Sequence, residues 1–210
     1  MRAPLLLVAF SLAFADAAPS PIPVTLTIYA TPRERDFGSA PAERIRWKSP
    51  LDGRFHWSLF VAGFADRDSS DPRLPDIAGA AMEGSGEIEP AYHRSDRALS
   101  AALAAGYRFL ILDQWKARRR LAVFSLAKTP LASDERPLRA GLSAAVRDGN
   151  SLFPLGRTVR LTCRNHSLGV RLIHDECSSC AGDHHIDLYV AASTGPTVSL
   201  EDCTAVLLPK

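Results

Sequence analysis

The chain has 210 residues, 46% of them hydrophobic, and a formal net charge of +2. That is enough apolar material for one domain that buries roughly 70% of its unfolded surface. The charge is too balanced to mark a nucleic-acid binder or a disordered polyelectrolyte.

Residues 1 to 17 read as a secretory signal. Arg2 supplies the positive end, Leu5 to Phe14 an apolar run too short to span a bilayer, and Ala15-Asp16-Ala17 the small residues of a cleavage site. The mature domain is then expected to run from about Ala18 to Lys210 in a periplasmic or extracellular compartment, with no later stretch suited to a stable membrane span. Four cysteines, an even number, fit a disulfide framework there.

Ser20 to Pro23 is a lead-in, and Val24 to Tyr29 alternates as a strand. Arg33 to Ser49 is polar and mixed, read as loop with a short helical or extended piece. Phe55 to Phe64 reads as a strand, Ala65 to Pro75 as loop, and Ala78 to Ile88 as a turn about Gly84 and Gly86. Ser95 to Ala105 reads as a helix with Ser95 as its cap. Phe109 to Leu112 and Leu121 to Leu126 are strands around a basic run, Lys116 to Arg120, taken as a solvated loop. Pro130 to Pro137 is loop, Ser143 to Val146 a short strand running into Asp148, and Arg157 to Cys163 another strand. Residues 164 to 169 turn the chain, and Thr197 to Leu208 closes the sheet. Many short strands separated by turn signals predict a mainly β barrel or sandwich, with a looser, partly helical insertion at about residues 33 to 140.

The most informative stretch is Val170 to Val190, VRLIHDECSSCAGDHHIDLYV. An apolar run, Val170 to Ile173, leads to Asp175. A small-residue loop with two cysteines follows, and then a second strand, His185 to Val190. Alternation puts His185, Asp187 and Tyr189 on one face and Ile186, Leu188 and Val190 on the other. If the two strands pair, Asp187 lies beside Asp175. Two carboxylates held together are forced to different pKa values and so divide acid and base work. An Asp at a strand end also simply makes turns, a reading open above all for Asp148, ahead of Gly149-Asn150.

In order along the chain stand AAVRD at Ala144 to Asp148, FPLG at Phe153 to Gly156, HDECSSCAG at His174 to Gly182 and IDLY at Ile186 to Tyr189. Together they resemble the 3D (three-aspartate) domain and, more broadly, the double-psi β-barrel group of MltA-type lytic transglycosylases, RlpA-like proteins and expansins. Upstream, TIYATP at Thr27 to Pro32 is similar to the opening strand of such domains, and MEGSG at Met82 to Gly86 to an "EGTG" turn of longer members. The chain departs from the group's "DTGGAIKG" loop, reading DECSSCAG, which is closer to the two-cysteine loops of expansin-like and RlpA-like barrels.

The resemblance implies a double-psi barrel with Asp148, Asp175 and Asp187 at the three aspartate positions. It also implies an exported enzyme acting on peptidoglycan without a cofactor or metal. One aspartate protonates the glycosidic oxygen, and the muramic acid 6-hydroxyl attacks its own anomeric carbon, giving a 1,6-anhydro sugar with no water consumed. By family position Asp187 is the proton donor, Asp175 polarises it and Asp148 orients the cluster. His185, Tyr189 and Glu83 are candidate substrate contacts, Glu83 also an accessory acid. The expansin-like members imply the alternative of a non-catalytic wall-binding or wall-loosening module.

Cys177-Ser178-Ser179-Cys180 admits three readings. A redox dithiol lacks a preceding βαβ pattern. A zinc half-site would recruit His184, His185 or Cys163. A disulfide framework drawing on Cys163, Cys177, Cys180 and Cys203 suits the export context, with three connectivities open. His174 and His184 could bind sugar or tune a carboxylate. Trp47, Trp57 and Trp115 are either sugar-stacking platforms or, more commonly, core.

Overall fold

The computed structural model describes residues 19–65, 79–116, 121–177, 180–191 and 199–209. The expected signal segment, most of the loop at 65–75, most of the basic run and Ser178-Ser179 fall outside those residues.

Six strands close a barrel in the order β1 (Ile22–Tyr29), β10 (His185–Tyr189), β7 (Ser143–Val146), β9 (His166–Glu176), β8 (Thr158–Cys163), β11 (Leu200–Leu207) and back to β1. Two neighbouring pairs are parallel, β1 with β10 and β7 with β9. The rest are antiparallel. The protein is therefore mainly β with the expected double-psi type of barrel. Leu26, Ala144, Val146, Leu161, Ile173, Ile186 and Ala205 fill its interior. The predicted alternation of β10 holds, with Ile186 and Leu188 buried, whereas Val190 lies beyond the strand and is exposed.

Between β1 and β7 the chain builds a second sheet, in the order β3 (Phe55–Val61), β2 (Pro41–Lys48), β6 (Leu121–Ala127), β5 (Phe109–Lys116), β4 (Ser85–Glu87). Its core gathers Trp47, Phe60, Phe64, Leu99, Leu110 and Phe124. The polar stretch after Arg33, expected to be mostly loop, carries a 3-10 turn at Glu34–Asp36 and the eight residues of β2. Alternation in PAERIRWK is visible once Trp47 is known to be its innermost residue. Helix α2 spans Arg97–Ala104, and its cap is Asp96, whose carboxylate accepts from the Leu99 amide at 3.0 Å. Ser95 is one residue too early: the N-cap side chain must reach the N2 or N3 amide.

Two further boundaries differ from expectation. The turn read at 164–169 shrinks to Arg164 and Asn165, both at positive φ. β9 therefore starts at His166 and carries Asp175 inside the strand. The short helix α1 (Ala80–Glu83) ends at Gly84, whose φ of 74° is left-handed, a C-terminal stop that glycine adopts without strain. Gly86, two residues on, has no room for a side chain, since a Cβ there would lie 2.7 Å from the Ala80 Cβ and 2.8 Å from the Phe64 ring. The MEGSG sequence thus stops a helix at Glu83 and seats β4 tightly on the core. β4 is tied to the segment that follows the barrel strand β1 by the Glu87 amide, which donates to the Pro32 carbonyl at 2.7 Å.

Candidate active site

The barrel's strand register draws a polar row across four strands on its outer face. Thr27 on β1 pairs with Asp187 on β10, Asp187 with Ala145 on β7, and Ala145 with Asp175 on β9. β9 and β10 do not pair, contrary to the simplest expectation: β7 lies between them, so the two aspartates stand two strand spacings apart, roughly 10 Å between Cα atoms. Between them Ala145 lies buried against Cys177, Cys180 and Tyr29. Strict alternation from the inward Ile173 would turn Asp175 into the barrel. The register slips by one residue between Ala144 and Ala145, so that Ala144 faces Ile173 while Ala145 faces Asp175. This bulge at His174 re-aims the carboxylate onto the face that carries Asp187.

Each carboxylate has its own support. Asp175 is buried and accepts three hydrogen bonds: from the Tyr29 hydroxyl at 2.8 Å, the Ser133 amide at 2.7 Å and the Glu176 amide at 3.0 Å. Three donors fit an anion. Burial nonetheless pushes its carboxyl above the usual range, against the pull of the Ser133, Tyr29 and Glu176 bonds. Ser133 is held in place by its neighbour Asp134, which meets His174 Nδ1 at 3.1 Å, while His174 Nε2 lies 2.7 Å from the Ser143 hydroxyl. His174 is buried and serves the site by fixing the loop that brings in the Ser133 amide.

Asp187 is half-buried and sits at the end of a directed chain. The Thr27 hydroxyl donates to its Oδ1 at 2.7 Å and lies 2.7 Å from His185 Nε2; the Ala181 amide donates to His185 Nδ1 at 3.0 Å. Thr27 has one proton, and it goes to Asp187, so Nε2 must carry the hydrogen between His185 and Thr27. His185 is thereby fixed as the neutral Nε2–H tautomer. Burial raises the Asp187 carboxyl; the Thr27 hydrogen bond, the neighbouring His185 and the Leu188 amide lower it, and the Asp175 charge raises it again, with a net upward shift.

A third carboxylate completes the group. Glu83, at the end of α1, is raised to about 7, by burial first and then by the charges of Asp187 and Asp175. The inserted sheet, tied through β4 to the segment after β1, therefore places Glu83 beside the two aspartates and contributes an acid raised to about 7. Tyr29 is pushed far up by burial and by Asp175, and remains a phenol that donates.

Asp175, Asp187, Glu83 and His185 thus come together. Asp148 does not join them: it is exposed in the turn after β7, and the carboxylate its charge raises is Glu176. Tyr189 is 4% exposed. Its hydroxyl is bonded to Thr31 at 2.9 Å, and its ring packs 5.3 Å from that of Tyr29, so it braces Tyr29 from beneath. His184 is exposed, its Nδ1 2.7 Å from the Pro23 carbonyl. Thr27, Tyr29, Ser133 and Ala145 were missed as site residues. The alternation of TIYATP, which sends Thr27 and Tyr29 to one face, was the signal available for two of them.

All four cysteines are paired, Cys163 with Cys203 between β8 and β11, and Cys177 with Cys180 inside the loop after β9. The second disulfide abuts the site, with Cys177 Sγ 3.7 Å from Asp187 Oδ2, a contact without a proton because a disulfide sulfur has none to donate. Cys177, Cys180 and Asp187 offer ligand atoms within 4.8 Å of one another, but a metal would need the thiolates that the disulfide consumes.

No family model matches the chain, and no curated protein does. Solved structures do resemble it in outline. A membrane-bound lytic murein transglycosylase from Agrobacterium tumefaciens superposes at a TM-score of 0.45 and 14% identity, over 90% of this chain and 75% of that one. MltA from E. coli with bound chitohexaose gives 0.44 and 15%, over 89% and 71%. MltA from E. coli in another crystal structure gives 0.42 and 13%, over 90% and 73%. Among the described residues no helix is long and apolar enough to cross a membrane.

Proposed function

We propose that the protein is an exported lytic transglycosylase that cleaves peptidoglycan to 1,6-anhydro-muramyl products, with Asp187 as its general acid and base. The observation that carries this reading is the row Thr27–Asp187–Ala145–Asp175, which sets two differently supported carboxylates on one face of the barrel, either side of a small buried alanine. The ordered likeness of AAVRD, FPLG, HDECSSCAG and IDLY to the three-aspartate barrels points the same way.

In this reading Asp187, raised by burial, gives its proton to the glycosidic oxygen as the C1–O bond breaks and the bonding pair leaves with oxygen. Positive charge builds on the sugar ring, and the anionic Asp175, held by three donors, stabilises it. The 6-hydroxyl oxygen of the same muramic residue attacks C1, and its proton returns to Asp187. The Thr27 hydroxyl keeps Oδ1 of Asp187 in one orientation. Glu83 holds a proton part of the time near pH 7, which keeps the cluster from carrying three full negative charges. Digestion of purified peptidoglycan with mass analysis of the products tests the proposal. Anhydro-muropeptides are expected, and their absence under conditions where a known enzyme makes them would overturn it.

One observation favours a second reading, a non-catalytic wall-binding module. The Cys177–Cys180 disulfide pins the loop against Asp187, where the resembled enzymes have glycines. Retention of the protein on insoluble peptidoglycan without release of sugar would select this reading.

A further inference from the structure

The β2–β3 hairpin carries a face that the carboxylate row does not use. On β3, Phe55, Trp57 and Leu59 point outward and are 45%, 52% and 52% exposed. Leu51 in the hairpin turn is similarly exposed. Of the eight large apolar side chains exposed among the described residues, these are four, whereas the outer side of a one-sided sheet is ordinarily polar. On β2 the outward positions are Arg44, Arg46 and Lys48, in register with Leu59, Trp57 and Phe55. The Arg44 guanidinium lies over the Trp57 ring at 5.2 Å and that of Arg46 over Phe55 at 4.0 Å. The strand's carboxylate, Glu43, alternates to the other side and accepts from the Gly63 amide at 3.2 Å. Asp52 at the hairpin tip faces His56 at 3.1 Å.

Beside this face, a groove of about 650 Å³ runs between β3 and the start of α2, lined in part by Trp57, Leu59, Tyr92, His93 and Asp96. Three of its polar groups are already engaged. Tyr92 donates to the Gly38 carbonyl at 2.9 Å. His93 Nε2 meets the buried Glu34 at 2.7 Å. Asp96 caps α2. The guanidiniums over Trp57 and Phe55 occupy ring faces that a sugar would stack on. A hydrated polyanion would satisfy the three cations but not the four apolar side chains. An anionic bilayer surface satisfies both, since aromatic and aliphatic side chains settle at the headgroup level while arginine and lysine meet the phosphates.

We propose that the outward face of the β2–β3 hairpin docks this protein on an anionic lipid surface. The association is peripheral, and it is independent of the chemistry assigned to the carboxylate row. At roughly fivefold per cation, three cations favour anionic over neutral lipid on the order of 100-fold.

The test sediments the full chain with vesicles of phosphatidylcholine alone or mixed in equal parts with phosphatidylglycerol. Two variants accompany it, Arg44→Gln/Arg46→Gln and Phe55→Ser/Trp57→Ser. All four side chains point outward, so both variants should melt with the parent. Any contribution from the rest of the chain is common to all three proteins, so the readout is the difference between lipids and between variants. The parent should prefer the anionic vesicles, the arginine variant should lose about 25-fold of that binding, and the aromatic variant should lose binding as well. Equal binding to both lipids, or variants that bind like the parent, overturns the proposal. So does a loss confined to insoluble peptidoglycan, to heparin, or to self-association in gel filtration, each of which reassigns the face to another partner.

Discussion

Glu83→Gln tests the electrostatics of the site without touching the proposed chemistry directly. The parent glutamate titrates near 4.5 when unfolded and at about 7 when folded, because burial and the charges of Asp187 and Asp175 disfavour its anion. The folded state therefore binds this proton more tightly. Below about pH 4.5 the group is protonated in both states and costs nothing. As pH rises toward 7 the folded protein loses stability relative to a non-titrating residue, and above 7 the loss is complete. A shift from 4.5 to about 7 corresponds to about 3 kcal/mol. Glutamine has the size and hydrogen-bonding character of the protonated acid. The variant should match the parent at pH 4 and exceed it by about 3 kcal/mol at pH 8. Urea unfolding of both proteins across that range measures the difference directly. A difference that does not change with pH, or a variant less stable than the parent at pH 8, would refute the placement of Glu83 beside the aspartate pair.

Asp187→Asn should lower peptidoglycan cleavage by about 10² to 10⁴ while leaving the thermal melt close to that of the parent; turnover and melting on one preparation check both. Asp175→Asn should cost less activity than Asp187→Asn, since the amide oxygen can still accept from the Tyr29 hydroxyl and the Ser133 amide but no longer offers a charge to the sugar ring; turnover on the same substrate checks it. Ala145→Val adds bulk to a side chain buried against Cys177, Cys180 and Tyr29 and should cost about 1–3 kcal/mol by overpacking, read by denaturant unfolding. Replacing both Cys163 and Cys203 by serine opens a cross-link of sequence separation 40 and should cost about 4 kcal/mol in denaturant unfolding.

Much of the barrel was legible because its strands are short and their faces alternate: Ser143–Val146 emerged with the predicted boundaries, and Ile186 and Leu188 fill the core as the alternation of β10 requires. The join between Asp175 and Asp187 was not. Local pattern carries no record of which strand inserts between two others, and here β7 does. The bulge at His174 was equally hidden, since a one-residue slip leaves no mark in composition yet reverses the face of Asp175. Thr27 and Tyr29 sat in a strand already recognised, but their roles depend on Asp187 of β10 and Asp175 of β9, 160 and 146 residues away in sequence. Asp148 illustrates the opposite failure: a residue in motif position that the turn leaves facing solvent beside Glu176. Trp47 and Trp57 look alike in sequence, but the β2–β3 register pairs Trp57 with Arg46 and not with Trp47, so the two lie on opposite faces of the sheet, the first buried and the second exposed.

The central claim is that the sugar's own 6-hydroxyl, and not water, attacks the anomeric carbon after Asp187 protonates the leaving oxygen. Digestion of peptidoglycan in heavy-oxygen water decides it. The account predicts glycan products that carry no heavy oxygen at the new chain end and are one water lighter than hydrolysis products, with their formation lost in Asp187→Asn. Incorporation of the label at the anomeric carbon, or parental cleavage by Asp187→Asn, would contradict it.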